Sequence, residues 1–202
     1  MIFLIKTTGF SDSSLSNGFG CMIRFFIYYV FVIYYRAIFM IFRAPITGDS
    51  NYLASPVLSI NRILSHDCVQ ATSSFVDIGC GEGIPVMVAR LIHKKKVVCC
   101  DLQRRFLVFI KVLSRGLFIS DVTCLPPQYL KVPNHSAVLC VWTSWSKHNR
   151  QRLVSQFQDL IPKGGILITV THGVVHPSFQ EVAKIQERFA WGKASVYYYK
   201  HA

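Results

Sequence analysis

An acidic residue followed by alternating glycines marks the segment of the chain best suited to chemistry. The segment reads Asp77-Ile78-Gly79-Cys80-Gly81-Glu82-Gly83 and directly follows an apolar stretch. Glycines allow positive φ and let the backbone approach a ligand without interference from a Cβ atom. A helix starting after them directs its free N–H groups at a bound anion, while the Asp77 carboxylate favours an ammonium group over a pyrophosphate. The pattern predicts a ligand site at the end of a strand.

The spacing of these glycines differs from the common dinucleotide fingerprint. That fingerprint, G-x-G-x-x-G, would place its third glycine at position 84. Position 84 is Ile, and the third glycine is Gly83. The spacing therefore argues against NAD as the ligand.

The elements that position this segment alternate between strands and helices. Strands are predicted at Ser74–Ile78, Val97–Cys100, Leu117–Ser120, Ala137–Trp142, Ile166–Val170 and Ala194–Lys200. The first predicted helix follows the glycines and ends at about Leu91, and the others span Gln103–Leu113, Arg150–Leu160 and Pro177–Phe189. Such alternation predicts an α/β fold, a Rossmann-like doubly wound and mostly parallel sheet with an antiparallel last strand. In sheets of this kind ligands bind beyond the carboxyl ends of the strands, at the topological switch point.

The glycine segment resembles motif I of the class I S-adenosylmethionine-dependent methyltransferases, and the resemblance spans about residues 50–202. It implies S-adenosylmethionine as the cofactor. Asp77 and the backbone of Gly79, Cys80 and Gly81 would hold its methionine part. The sulfonium methyl group is already an activated electrophile, so such an enzyme need only align a nucleophile and exclude water. No catalytic residue is therefore assigned from the sequence, and no metal site is predicted.

The same resemblance implies further cofactor contacts at the ends of the next strands. Asp101 ends the second strand and would hydrogen-bond the ribose hydroxyls. Asp121 would follow the third strand and meet the adenine amino group. Leu102 and Val122, which follow these acids, and Trp142, at the end of the fourth strand, complete the implied cofactor site.

The stretch after the fourth strand is expected to shape the pocket for the methyl acceptor. Trp142 and Trp145 either stack on adenine, enclose a methylammonium through cation–π contacts, or belong to the core. His148 is either a base or a surface histidine at a helix start. The Asn/Asp-Pro-Pro-aromatic motif of amino-methylating nucleic-acid enzymes is absent from this stretch.

The N-terminal part of the chain is strongly apolar. Residues 25–42 are apolar for eighteen positions, interrupted only by Arg36, which is close to the span of about 20 residues that a bilayer core requires. This run predicts membrane association, by spanning the bilayer or lying in its interface; the alternative is a helix packed on the domain. The predicted organisation is an irregular segment at 1–20, a hydrophobic membrane-anchor helix at 21–43 and a methyltransferase domain at 44–202.

The predicted partners follow from this organisation. An anchor ahead of motif I is similar to a branch of membrane-anchored protein lysine methyltransferases, which implies a protein lysine as the methyl acceptor. The alternatives are a small molecule, a lipid or RNA as acceptor, for which the net charge of +12 is the main support, or a non-catalytic binding module. Seven cysteines without zinc spacing indicate reduced thiols. The predicted location is therefore membrane-associated, with the catalytic domain on the cytoplasmic or organelle-matrix side.

Overall fold

The computed structural model describes residues 12–41, 55–143 and 146–202, with the side chains of the first helix described at 20–34. The strands are β1 (Ser74–Ile78), β2 (Lys96–Cys100), β3 (Val122–Leu125), β4 (Ser136–Val141), β5 (Ile166–Val170), β6 (Phe179–Phe189) and β7 (Gly192–His201). The helices are α1 (Asp12–Ile41), α2 (Val57–Leu64), α3 (Asp67–Gln70), α4 (Ile84–Met87) with a π-helical turn (Val88–Ile92), α5 (Arg104–Gly116), a 3₁₀ turn (Pro127–Tyr129) and α6 (Lys147–Leu160).

All seven strands form one sheet in the order β3-β2-β1-β4-β5-β7-β6. The strands from β1 to β5 are parallel to their neighbours, and β7 runs antiparallel to both β5 and β6. The chain leaves β1 in one direction toward β2 and β3 and returns to place β4 on its other side. The predicted fold class is confirmed, and its switch point lies at the carboxyl end of β1, between β2 and β4.

The larger core lies on the sheet face that α2, α4 and α5 cover. All five residues of β1 are buried, as expected for a central parallel strand with both faces covered. The opposite face has a smaller core around Phe157, which is the buried residue of α6. The segment 171–178, which follows β5, buries Val174 in this core, and the N–H of Val174 donates to the Tyr199 hydroxyl at 2.8 Å.

Residues 179–189 form a strand, so the helix predicted at Pro177–Phe189 is wrong. Val182, Ile185 and Phe189 have helical spacing, but β6 pairs with β7 along its whole length, with one register shift between Glu181 and Ala183. The pairing with a distant strand outweighs the local period, because strand formation depends on cross-strand neighbours.

The third strand lies later in the chain than predicted. Helix α5 extends to Gly116, and the predicted strand Leu117–Ser120 is instead the connection, with Phe118 at a φ of 53°. The strand β3 begins only at Val122. This shift of a few residues decides on which edge of the sheet Asp121 lies.

Helix α1 packs against the domain along one face. Tyr28 and Val32 have no exposed surface, and Phe25 and Tyr29 pack beside them at the spacing of a single helical stripe. Arg24 donates from Nη1 to a backbone carbonyl of the domain at 3.5 Å. The apolar run thus covers part of the protein core.

The predicted membrane-associated location is wrong. Within the part of the chain that the structure describes, no helix combines the length and apolarity needed to span a membrane. Helix α1 begins at Asp12, earlier than residue 21, where the anchor is predicted to start. The domain boundary at residue 44 lies outside the described residues and stays a prediction.

Candidate cofactor site

The loop after β1 turns sharply at its three glycines. Gly79, Gly81 and Gly83 all have positive φ, at 78°, 50° and 78°, a region that residues with a Cβ rarely occupy. The N–H groups of Gly79 and Cys80 both donate to the carbonyl of Cys100, at 2.8 and 3.1 Å. The loop is therefore attached to the end of β2, and these two donors are already used within the protein.

Asp77 carries the most perturbed carboxyl group of the site. Its side chain is only 2% exposed, and its Oδ2 has no hydrogen-bond partner among the described residues. Burial, and secondly the charge of Asp101, raise the pKa of Asp77 to about 8. A buried acceptor without a partner is costly, so the position is suited to a ligand that brings a positive or donating group.

Asp101 connects the glycine loop to the start of α5. Its Oδ2 accepts from the N–H of Gly81 at 2.9 Å and its Oδ1 from the N–H of Gln103 at 2.8 Å. A carboxylate offers about four lone-pair positions, so both oxygens retain capacity for ligand hydroxyls. Burial raises the pKa of Asp101, and the two backbone donors and Arg105 oppose that rise. The next residue, Leu102, is 85% exposed at the rim of the site.

Helix α1 holds the glycine loop from behind. The Tyr28 hydroxyl donates to the carbonyl of Glu82. A Cβ added at Gly83 would lie 2.8 Å from both this hydroxyl and the side chain of Ile110. Sequence reasoning did not identify Tyr28 as part of the site. In the sequence, the one feature that could have indicated its role is that its side chain carries a hydroxyl group within an apolar run.

Cys80 contributes its backbone to the loop, while its thiol points into the core. The side chain is 4% exposed, and burial raises its pKa to about 11. Cys99 and Cys124, on β2 and β3, lie nearby with their sulfurs 2.9 Å apart. The thiols at this position are packing groups, as expected for buried cysteine.

The comparisons with known proteins identify the fold. A Salinibacter ruber RNA methyltransferase, solved with S-adenosyl-L-homocysteine, has a TM-score of 0.61 at 14% identity, over 74% of this chain and 94% of its own. A Pyrococcus furiosus methyltransferase has a TM-score of 0.57 at 12% identity, over 85% and 96%. The B. subtilis tRNA methyltransferase TrmK has a TM-score of 0.58 at 10% identity, over 76% and 68%. The chain has the fold of a class I methyltransferase.

Sequence comparison adds no relative to these methyltransferase structures. No protein-family profile matches the chain, and no curated protein matches it. The resemblance to the membrane-anchored lysine methyltransferase branch is therefore not shown.

Within this methyltransferase fold, Asp121 lies at the wrong edge for the role predicted for it. It precedes β3, and its carbonyl accepts from Val97 at the amino end of β2. Its carboxylate accepts from Arg90 Nη2 at 2.8 Å. Val122 begins β3 and pairs with Val97 at the same edge. Asp77 and Asp101 lie at the opposite, carboxyl edge, so the structure does not bring Asp121 and Val122 into the site. At the carboxyl edge, Leu125 ends β3 and Pro126 follows it instead.

Trp142 is a core residue in this conformation. It is 1% exposed, its indole N–H donates to the carbonyl of His172 at 2.9 Å, and its ring packs at 6.2 Å from that of Phe157. A side chain buried in this way has no free face for adenine or a methylammonium group, so the structure does not present Trp142 to the site, and its predicted ligand contact stays a prediction. Trp145 lies outside the described residues, and His148 is exposed in the first turn of α6.

Proposed function

We propose that the chain is an S-adenosylmethionine-dependent methyltransferase that binds its cofactor at the carboxyl end of β1. The observation that carries the proposal is the buried carboxyl group of Asp77, which has an oxygen without a partner among the described residues, close before the positive-φ glycine loop. The methyltransferase fold supports it, as does the position of Asp101 at the end of the next strand. Bound S-adenosylmethionine would supply an electrophilic methyl group.

The two acids have different roles in this proposal. Asp77 would accept from the ammonium of the methionine part, which would supply the donor that its Oδ2 lacks. Asp101 would accept from the ribose hydroxyls while Gly81 and Gln103 keep its carboxylate oriented. The exposed side chain of Leu102 would lie along the cofactor. The glycine loop contributes a close backbone approach rather than N–H donors, because several of its N–H groups already donate within the protein.

The test is calorimetric titration of S-adenosylmethionine into the full chain. The full chain is required because Tyr28, in α1, holds the glycine loop. Binding should be saturable, and Asp101→Asn should weaken it about tenfold or more, since a hydrogen bond to a charged group contributes about 1.5–3 kcal/mol. Asp159→Asn, which neutralises an exposed carboxylate near the end of α6, is the matched control and should bind like the parent protein. If the folded protein does not bind the cofactor, the enzyme proposal is wrong and the non-catalytic binding module takes its place.

The protein lysine predicted as methyl acceptor loses one of its two supports, because it was inferred from a membrane anchor as well as from motif I. The resemblance to the lysine methyltransferase branch is not shown either. Lysine methylation stays a prediction, which mass spectrometry of protein incubated with the enzyme and labelled cofactor would test.

A further inference from the structure

Basic side chains lie around the carboxyl edge of the sheet, where the proposed cofactor site lies. They come from the start of α5, the first two turns of α6 and the hairpin between β6 and β7. We call them the carboxyl-edge rim: Arg104, Arg105, Lys147, Arg150, Arg152, Arg188 and Lys193. The hairpin belongs to this edge because Val170, the last residue of β5, pairs with Val196 near the start of β7.

No exposed acid balances this rim in the part of the chain that the structure describes. The exposed acids among the described side chains lie toward the amino edge of the sheet: Asp67, Asp121, Asp159 and Glu181. Asp77 and Glu82 are buried at the cofactor site, and Asp101 holds backbone N–H groups. Exposed basic residues also lie at the amino edge, among them Lys96, Arg115 and Lys163, but there exposed acids accompany them. Among the described residues, the carboxyl edge differs in that its basic side chains have no exposed acid beside them.

Around its turn, the hairpin between β6 and β7 carries two exposed basic residues and one acid that is already paired. Its acid, Glu187, is occupied by Arg62, which donates from Nε and Nη2 to both carboxylate oxygens at 2.8 Å. Arg188 and Lys193 are exposed and directly opposite each other across the two strands. Like charges in directly opposed positions destabilise a strand pair. Their cost is offset when a polyanion lies over them.

We infer that the carboxyl-edge rim binds the phosphate backbone of a nucleic-acid strand, which is the methyl acceptor. This inference rests on the proposed methyltransferase function and names its substrate class. A rim of one charge sign around a site raises the local concentration of oppositely charged substrates. It opposes a cationic acceptor such as a lysine in a basic segment for the same reason. Phosphate contacts of this kind position a strand without reading its sequence.

The first test is binding of labelled single-stranded RNA and single-stranded DNA of equal length, measured by fluorescence anisotropy from 50 to 200 mM salt. The test variant is Arg188→Gln/Lys193→Gln. Each phosphate contact on a single strand contributes about 0.7 to the salt slope, so losing two contacts should lower the slope by about 1.4 and the affinity at 0.1 M salt by about 25-fold. Tighter binding of the parent protein to RNA than to DNA would favour RNA as the acceptor, and the reverse would favour DNA.

The matched control is Lys96→Gln/Lys163→Gln, which removes the same charge from exposed positions at the amino edge. It should change nucleic-acid affinity less than twofold. Equal losses in both variants would mean that net charge alone attracts the strand, and the inference would be overturned. Absence of binding to either nucleic acid at 50 mM salt would overturn it as well.

The second test follows the methyl group. Lysate incubated with the enzyme and S-adenosylmethionine carrying a tritiated methyl group should gain label that nuclease releases. Label that only protease releases would overturn the inference and favour a protein acceptor. Calorimetry with S-adenosylmethionine runs alongside, and both double variants should bind it normally. If the parent protein does not bind S-adenosylmethionine, the proposed function itself is wrong.

Discussion

The buried carboxyl group of Asp77 should make the cofactor-free protein less stable as the pH rises. Its pKa in the folded protein is about 8, against an ordinary value of 3.8. Between these values the folded protein holds a proton that the unfolded chain releases. By linkage, the free energy of unfolding therefore falls with increasing pH across this window and levels off above the folded pKa. Asp77→Asn replaces the group with a neutral one of the same shape and should remove this dependence.

The magnitude follows from the width of the window. One pKa unit corresponds to about 1.36 kcal/mol. The destabilisation due to Asp77 should therefore increase by about 3–4 kcal/mol between pH 5 and pH 8. Asp77→Asn should accordingly be more stable than the parent at pH 8, and its advantage should shrink by that amount at pH 5. The same variant should bind S-adenosylmethionine more weakly, because it lacks the carboxylate that would meet the ammonium group.

The assay is urea unfolding of both proteins at several pH values without cofactor, repeated with saturating S-adenosylmethionine. Asp159→Asn serves again as the control for removing one carboxyl group, because that side chain is exposed. The reasoning is refuted if Asp77→Asn is no more stable than the parent at pH 8, or if the two proteins lose stability in parallel as the pH rises. Such a result would mean that Asp77 is ionised in the folded protein and already has a partner.

Three further substitutions test the geometry of the site. Asp121→Asn should leave the dissociation constant for S-adenosylmethionine within about twofold of the parent value, since it lies at the opposite edge of the sheet; a tenfold loss in calorimetry would return it to the site. Trp142→Phe should lower the free energy of unfolding by about 1 kcal/mol through one lost hydrogen bond without changing cofactor affinity, and weaker binding would indicate a direct contact. Gly83→Ala should lower the free energy of unfolding by about 2–4 kcal/mol, because the residue has a φ of 78° and its Cβ would lie 2.8 Å from Ile110 and Tyr28. A variant as stable as the parent protein in urea would show that the loop rearranges freely.

The predicted site residues that the structure brings together are those adjacent to well-marked strand ends. The apolar run before Asp77 and the glycines after it define where β1 stops. Asp101 follows a second run of the same kind. Parallel strands in a doubly wound sheet end at a common edge, so these local patterns were enough to predict that both acids lie together.

The residues that the structure places elsewhere than expected depend on packing partners distant in sequence. An apolar helix has the same composition whether it contacts lipid or a protein core, and only the contacts of Tyr28 show that α1 covers the domain. Asp121 changed edges because β3 begins after it. Trp142 turned inward because a carbonyl from the segment after β5 accepts its indole N–H.

By itself, the sequence determined the fold class and the chemistry expected at the end of β1, because alternating elements and glycine spacing are local properties. Only the tertiary structure decided that residues 179–189 form a strand by pairing with β7, which face of α1 is buried and on which edge of the sheet each charged side chain lies. These outcomes depend on the free energy of contacts between segments far apart in the chain, such as Arg62 with Glu187 or β6 with β7. A local sequence pattern does not show which distant segments will contact each other in the folded protein.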